Sequence, residues 1–99
     1  MFVERLIDRD SVVLRCKDMP FAEVEGEVLI LNAEAGRYHG LNNIASDIWR
    51  RLEKPVRVAD LCASLTEDYK GDAAVIERDV LDFLHQLVAR GVVRSPEAG

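Results

Sequence analysis

Between residues 73 and 90 the apolar side chains Ile76, Val80, Phe83, Leu84 and Leu87 fall at i, i+4, i+7, i+8 and i+11. That spacing follows the turn of an α-helix, so one face is apolar and has to be buried against other parts of the chain. Asp72 stands where its side chain can accept from the free N–H groups of a first turn, and Arg90 and Gly91 stand where a helix closes. A helix with such a face is stable only with partners, and the rest of the chain supplies them in two blocks. The residues after Leu41 read as helix and those before it as strand.

Two more helices precede this one. Val58, Leu61, Cys62, Leu65 and Tyr69 form one stripe over residues 58–69, and Gly71 is the expected left-handed stop. A shorter helix starts at Asn42 or Asn43, either of which can cap it, with Asp47 near that end. Ile44, Ile48 and Leu52 follow at four-residue steps with Trp49 beside them, and Pro55 prevents continuation.

In the strand block, Val12, Leu14 and Cys16 alternate with Val13, Arg15 and Lys17, and Asp18-Met19-Pro20 interrupts them. An extended stretch over 21–31 is bent at Glu25-Gly26, and its Val28-Leu29-Ile30-Leu31 run, apolar on both faces, suits a central strand. A turn over 32–36 leads to a third strand, Arg37-Tyr38-His39-Gly40-Leu41. Val92-Val93 adds a short closing strand. The pattern predicts an α+β fold, a three-stranded antiparallel sheet followed by three helices, which is also the parts list of a winged-helix domain. The 99 residues make one domain, 1–99, with its core over 11–93 and loose ends such as Ser95–Gly99.

Composition narrows the function. The net charge of −5 argues against nucleic acid, whose non-specific affinity comes from neutralised phosphates. Met1 to Asp10 has no apolar signal-peptide core, and no apolar run is long enough to span a membrane, so a cytoplasmic protein is expected. Cys16 and Cys62 stand far apart with no CxxC pair, so buried reduced thiols are expected rather than a zinc or redox site. His39 and His85 form no HxxxH pair, and His85, off the apolar stripe, is expected on the surface. Ser11, Ser46, Ser64 and Ser95 lie in no nucleophile elbow, no phosphate-cradling glycine loop exists, and Glu23, Glu25 and Glu27 read as a solvated strand face. No catalysis, metal or cofactor is expected.

What remains is binding. A small sheet leaves backbone N–H and C=O groups unpaired at its edges, where an extended peptide can add itself as a further strand. The strand over 37–41 offers such an edge and the helix over 73–90 a wall, although Val80, Phe83, Leu84 and Leu87 are expected to serve mainly as core.

The same residues carry a family resemblance. Gly36-Arg37-Tyr38-His39-Gly40-Leu41-Asn42 resembles the signature G-x-Y-x-x-L-N, and Ile48-Trp49-Arg50-Arg51-Leu52 resembles I-W-x-x-L. Val58-Ala59-Asp60-Leu61, Asp79-Val80-Leu81-Asp82-Phe83-Leu84-His85-Gln86-Leu87 and Gly91-Val92-Val93 follow in the order of the PqqD family, named for the D protein of pyrroloquinoline-quinone biosynthesis. The resemblance runs from about Ser11 to Val93. It implies a winged-helix-like fold and a non-catalytic chaperone that binds the leader of a ribosomally made precursor peptide and presents it to a modifying enzyme. It further implies that Arg37, Tyr38, His39, Gly40 and Leu41 give the backbone edge, with Ile76, Asp79, Val80 and Phe83 lining the opposite wall. The wording resembles the stand-alone proteins of lasso-peptide clusters, where the partner is a leader peptidase or cyclase; in the cofactor pathway it is a radical S-adenosylmethionine enzyme. Arg57 departs from the family, which often has a capping Thr or Ser there. An open edge also allows a homodimer as well as a monomer. The alternative is a winged-helix DNA-binding regulator, which the acidic Glu77, Asp79 and Asp82 beside Arg78 and Gln86 on the third helix disfavour.

Overall fold

Glu25 and Gly26 both take positive φ, 52° and 85°. Positive φ at both central residues is what a two-residue hairpin turn needs, because its twist then matches that of the flanking strands. The stretch expected as one bent strand is therefore a hairpin of β2 (Phe21–Val24) and β3 (Glu27–Asn32). The structure is a computed structural model that describes residues 7–16, 20–32 and 36–95, less the side chains of Asn32, Arg37 and His39. The expected break at Asp18-Met19, most of the turn over 32–36, most of the segment Met1–Asp10 and the tail beyond Ser95 lie outside the described residues.

β4 (Arg37–Gly40) pairs with the other side of β3, giving an antiparallel sheet in the order β2–β3–β4. The register sets Ile30 between Phe21 and His39, and Leu31 opposite Tyr38. Val28 and Ile30 are buried on one face, while Val24, Leu31 and Tyr38 on the other are exposed.

The first strand joins a different sheet from the one its sequence suggested. β1 (Val12–Arg15) lies between β5 (Val56–Arg57) and β6 (Val93–Arg94), pairing antiparallel with both. Alternation identifies 12–16 as a strand, but its partners are two short pairs of residues far down the chain, too brief to carry a period of their own.

α1 (Asn43–Arg51) is capped by Asn42, whose Oδ1 accepts from the Ala45 N–H at 2.9 Å. α2 (Val58–Tyr69) has no side-chain cap at Arg57. Backbone carbonyls of the segment ahead of β1 replace it: Val58 N–H donates to the Ser11 carbonyl at 2.9 Å and Ala59 N–H to that of Arg9 at 2.8 Å. The departure at Arg57 is therefore offset by tertiary contact, which satisfies the same orphan donors. α3 (Ala73–Ala89) is capped by Asp72, which accepts from the Ala74 and Val75 N–H groups, and is followed by Gly91 at φ 78°.

The apolar stripes meet in one core built around Trp49, with Val13, Val28, Ile30, Leu52, Leu61, Leu65, Leu84, Leu87 and Val93. Cys62 is buried and Cys16 half-buried; burial raises the Cys62 thiol pKa. His85 is half-buried rather than exposed: its Nε2 lies 3.2 Å from the Ile7 amide nitrogen and 3.1 Å from the Ile7 carbonyl oxygen, tying residue 7 to α3. Among the described residues no helix is long and apolar enough to cross a membrane, and no three His, Cys, Asp or Glu side chains gather as a metal site.

Candidate functional site

In an antiparallel ladder every second residue turns its N–H and C=O toward the partner strand and the others turn away. The Leu41 N–H donates to the Val28 carbonyl at 2.8 Å, so with the register of the pair Leu41, His39 and Arg37 are the inward-bonded positions. The backbone groups of Tyr38 and Gly40 then face away from β3. Since β4 is the last strand of its sheet, these groups lie on an open edge. The Tyr38 side chain stands on the outer face and is 66% exposed.

β4 leads through Leu41 into the rim of a cavity of about 320 Å³ at Asn42. Such a volume is near the lower end of the range for ligand pockets, ~300–1,000 Å³. Ile44, Ala45 and Ile48 of α1, Leu65 and Tyr69 of α2, and Ile76, Asp79, Val80 and Phe83 of α3 complete the lining. Apolar side chains dominate. Asp79, with its side chain 67% exposed, is the carboxylate among them, 3.7 Å from Arg78 Nε. Ile44 is exposed because its helix position faces this space instead of the core.

Two polar devices hold the surrounding elements. At the β4–α1 junction the Ser46 hydroxyl, fully buried, accepts from the Val28 N–H at 2.8 Å and donates to the Leu41 carbonyl at 3.0 Å. It is inserted into the ladder where those two groups would otherwise bond each other, and so fixes the start of α1 to the sheet. In the sequence Ser46 is only a serine outside any nucleophile elbow; that it shares a face with Trp49 and Leu52 does not show which strand groups it meets. Ser46→Ala is expected to cost about 1–3 kcal/mol, the penalty of a buried donor left unpaired. Thermal melting checks this; an unchanged melting point would mean that the Leu41 carbonyl has closed onto the Val28 N–H.

The second device lies between α1 and the end of α2. Arg51 donates to both oxygens of Asp47, at 2.8 and 3.1 Å, and to Asp68 at 2.6 Å, while the Tyr69 hydroxyl donates to Asp47 at 2.7 Å. Arg51 accordingly holds the Asp47 carboxyl below its ordinary pKa, and the bond to Asp47 raises that of Tyr69. Asp47, expected to serve the helix dipole, instead anchors the Tyr69 side of the cavity.

Of the residues singled out from sequence, Ile76, Asp79, Val80 and Phe83 come together in the cavity lining. Tyr38 and Gly40 present the edge, and Leu41 is buried beneath it. The side chains of Arg37 and His39 lie outside the described residues. Asn42, Ile44, Ala45, Ile48, Leu65 and Tyr69 were not singled out, because helical periodicity assigns such positions to core or surface without showing where three helix faces fail to close.

Fold and site together define a small α+β domain with an open strand edge beside an apolar groove. The chain belongs to the PqqD family: the family's sequence model, described as coenzyme PQQ synthesis protein D, matches residues 27–93. Among solved structures the chain is similar to TbiB1 in complex with the TbiA(beta) leader peptide, at 28% identity and a TM-score of 0.73, over 82% of this chain and 94% of that one. No curated protein matches.

Proposed function

We propose that this protein binds the leader of a ribosomally made precursor peptide and presents it to a separate modifying enzyme. The observation that carries the reading is that the open β4 edge runs on, through Leu41, to Asn42 at the rim of the apolar groove among α1, α2 and α3. An added strand gains backbone hydrogen bonds from Tyr38 and Gly40, while its side chains find pockets along Ile44, Ile76, Val80 and Phe83. Membership of the PqqD family and similarity to a protein solved with a leader peptide both support it. The enzyme that receives the peptide is a leader peptidase or cyclase, or a radical S-adenosylmethionine enzyme, and the encounter takes place in the cytoplasm, where ribosomal precursors emerge. A second copy paired through β4 would compete for the same edge, so the binding form is one with β4 free. Docking of α3 into DNA is disfavoured by exposed Asp79 and Asp82 on that helix, which phosphates repel.

Titration of the ¹⁵N-labelled protein with the TbiA(beta) leader peptide is the test. Amide shifts are expected at Tyr38–Leu41, Ile44, Ile76, Val80 and Phe83. Shifts confined to the outer face at Val24 and Leu31 would sink the assignment.

A further inference from the structure

Gly71 is the residue that sequence reading assigned to the left-handed close of α2. The structure gives that conformation to Lys70, at φ 51° and ψ 43°, and Gly71 is not among the positive-φ glycines. The backbone therefore makes no demand for glycine at 71. Space does. A Cβ on Gly71 would lie 2.8 Å from Ile76 Cδ1 and 3.5 Å from Ile76 Cγ1. The first distance is well inside the ~3.5–4.0 Å optimum for carbon atoms. Side chains on a helix lean toward its N-terminus. Ile76 thus reaches back over the turn ahead of α3 and rests its terminal methyl where a side chain at 71 would be. The same Ile76 is part of the cavity wall.

We infer that Gly71 is a specificity-determining residue of the groove: having no side chain, it lets Ile76 fold back from the cavity and so sets the size of the apolar peptide side chain accepted at the α2–α3 end. The inference rests on the peptide-binding reading above. A methyl at 71 displaces only the far end of a flexible side chain, so the fold is kept. Ile76 is half-buried and lines the cavity, so the cavity lies beside a methyl pushed off the turn. The groove then favours smaller anchors than the wild-type groove does.

Gly71→Ala, Ile76→Val and the double variant test this, with the TbiA(beta) leader peptide as probe and the ¹³C shift of the Ile76 δ1 methyl as a readout that needs no peptide. In Gly71→Ala that methyl shift is expected to move and the affinity to fall roughly tenfold, the scale of an overpacked site. Adding Ile76→Val removes the displaced methyl and is expected to restore most of the loss. If Gly71→Ala does not fold, the double variant is expected to fold and bind. An unmoved Ile76 methyl, an unchanged affinity in Gly71→Ala, or a double variant no better than the single one would overturn the inference. A wild-type protein that does not bind the probe is a failure of the peptide reading itself, and takes the inference with it.

Discussion

Trp49→Ala is expected to melt on the order of 20 °C below the wild type. Truncating a buried tryptophan costs about 3–5 kcal/mol through lost transfer energy and the cavity left behind. A domain of this length shifts by roughly 4–8 °C for each kcal/mol. Trp49 is fully buried, stands edge-on to Phe21 at 5.7 Å between ring centroids, and lies 5.3 Å from the guanidinium carbon of Arg15. Arg15 belongs to β1 and Phe21 to β2, so one indole joins both sheets to α1. Its Nε1 meets no hydrogen-bond acceptor among the described residues. Trp49→Phe is therefore expected to cost much less, because it removes an unpaired donor while keeping a ring. Calorimetric or circular-dichroism melting of the pair checks both; equal losses would show that the indole N–H is satisfied in solution.

The second large effect is on binding. If the proposed leader-binding function holds, Phe83→Ala is expected to weaken binding of the TbiA(beta) leader peptide, used as a probe, by about 30-fold, the ~2 kcal/mol of an aromatic hot spot, while costing stability less than the ~3–5 kcal/mol of a fully buried ring. Phe83 is half-buried, packs on the core with one side and lines the cavity with the other. Paired isothermal titration and thermal melting separate the two roles. A large fall in melting temperature with unchanged affinity would return Phe83 to the core.

The contrast between Phe83 and Leu84 shows how far periodicity reaches. Both fall on the apolar stripe, and both were read mainly as core. Leu84 is fully buried, whereas Phe83 borders a groove. The stripe records that a face is apolar, not which part of it the neighbouring helices leave uncovered. Asp72, and an Asn cap at 42 or 43 that the structure gives to Asn42, were legible because a cap acts within one turn of its own position. Ser46 was not legible, because its partners Val28 and Leu41 belong to strands brought beside it by the fold.

The same division holds for the whole chain. The strand-then-helix order, the three helices and the α+β class came from periodicity and capping, which are local and written into neighbouring residues. The family resemblance came from motifs in order along the chain. Tertiary structure decided that β1 leaves the three-stranded sheet for β5 and β6, that the Ser11 and Arg9 carbonyls do the work of a missing cap at Arg57, and that Lys70 rather than Gly71 takes the left-handed turn. Each of these depends on which distant group arrives at a given position, and a one-dimensional pattern carries no term for that encounter. The apolar groove is of the same kind: it is the space left where the faces of α1, α2 and α3 do not meet, and no single residue encodes it.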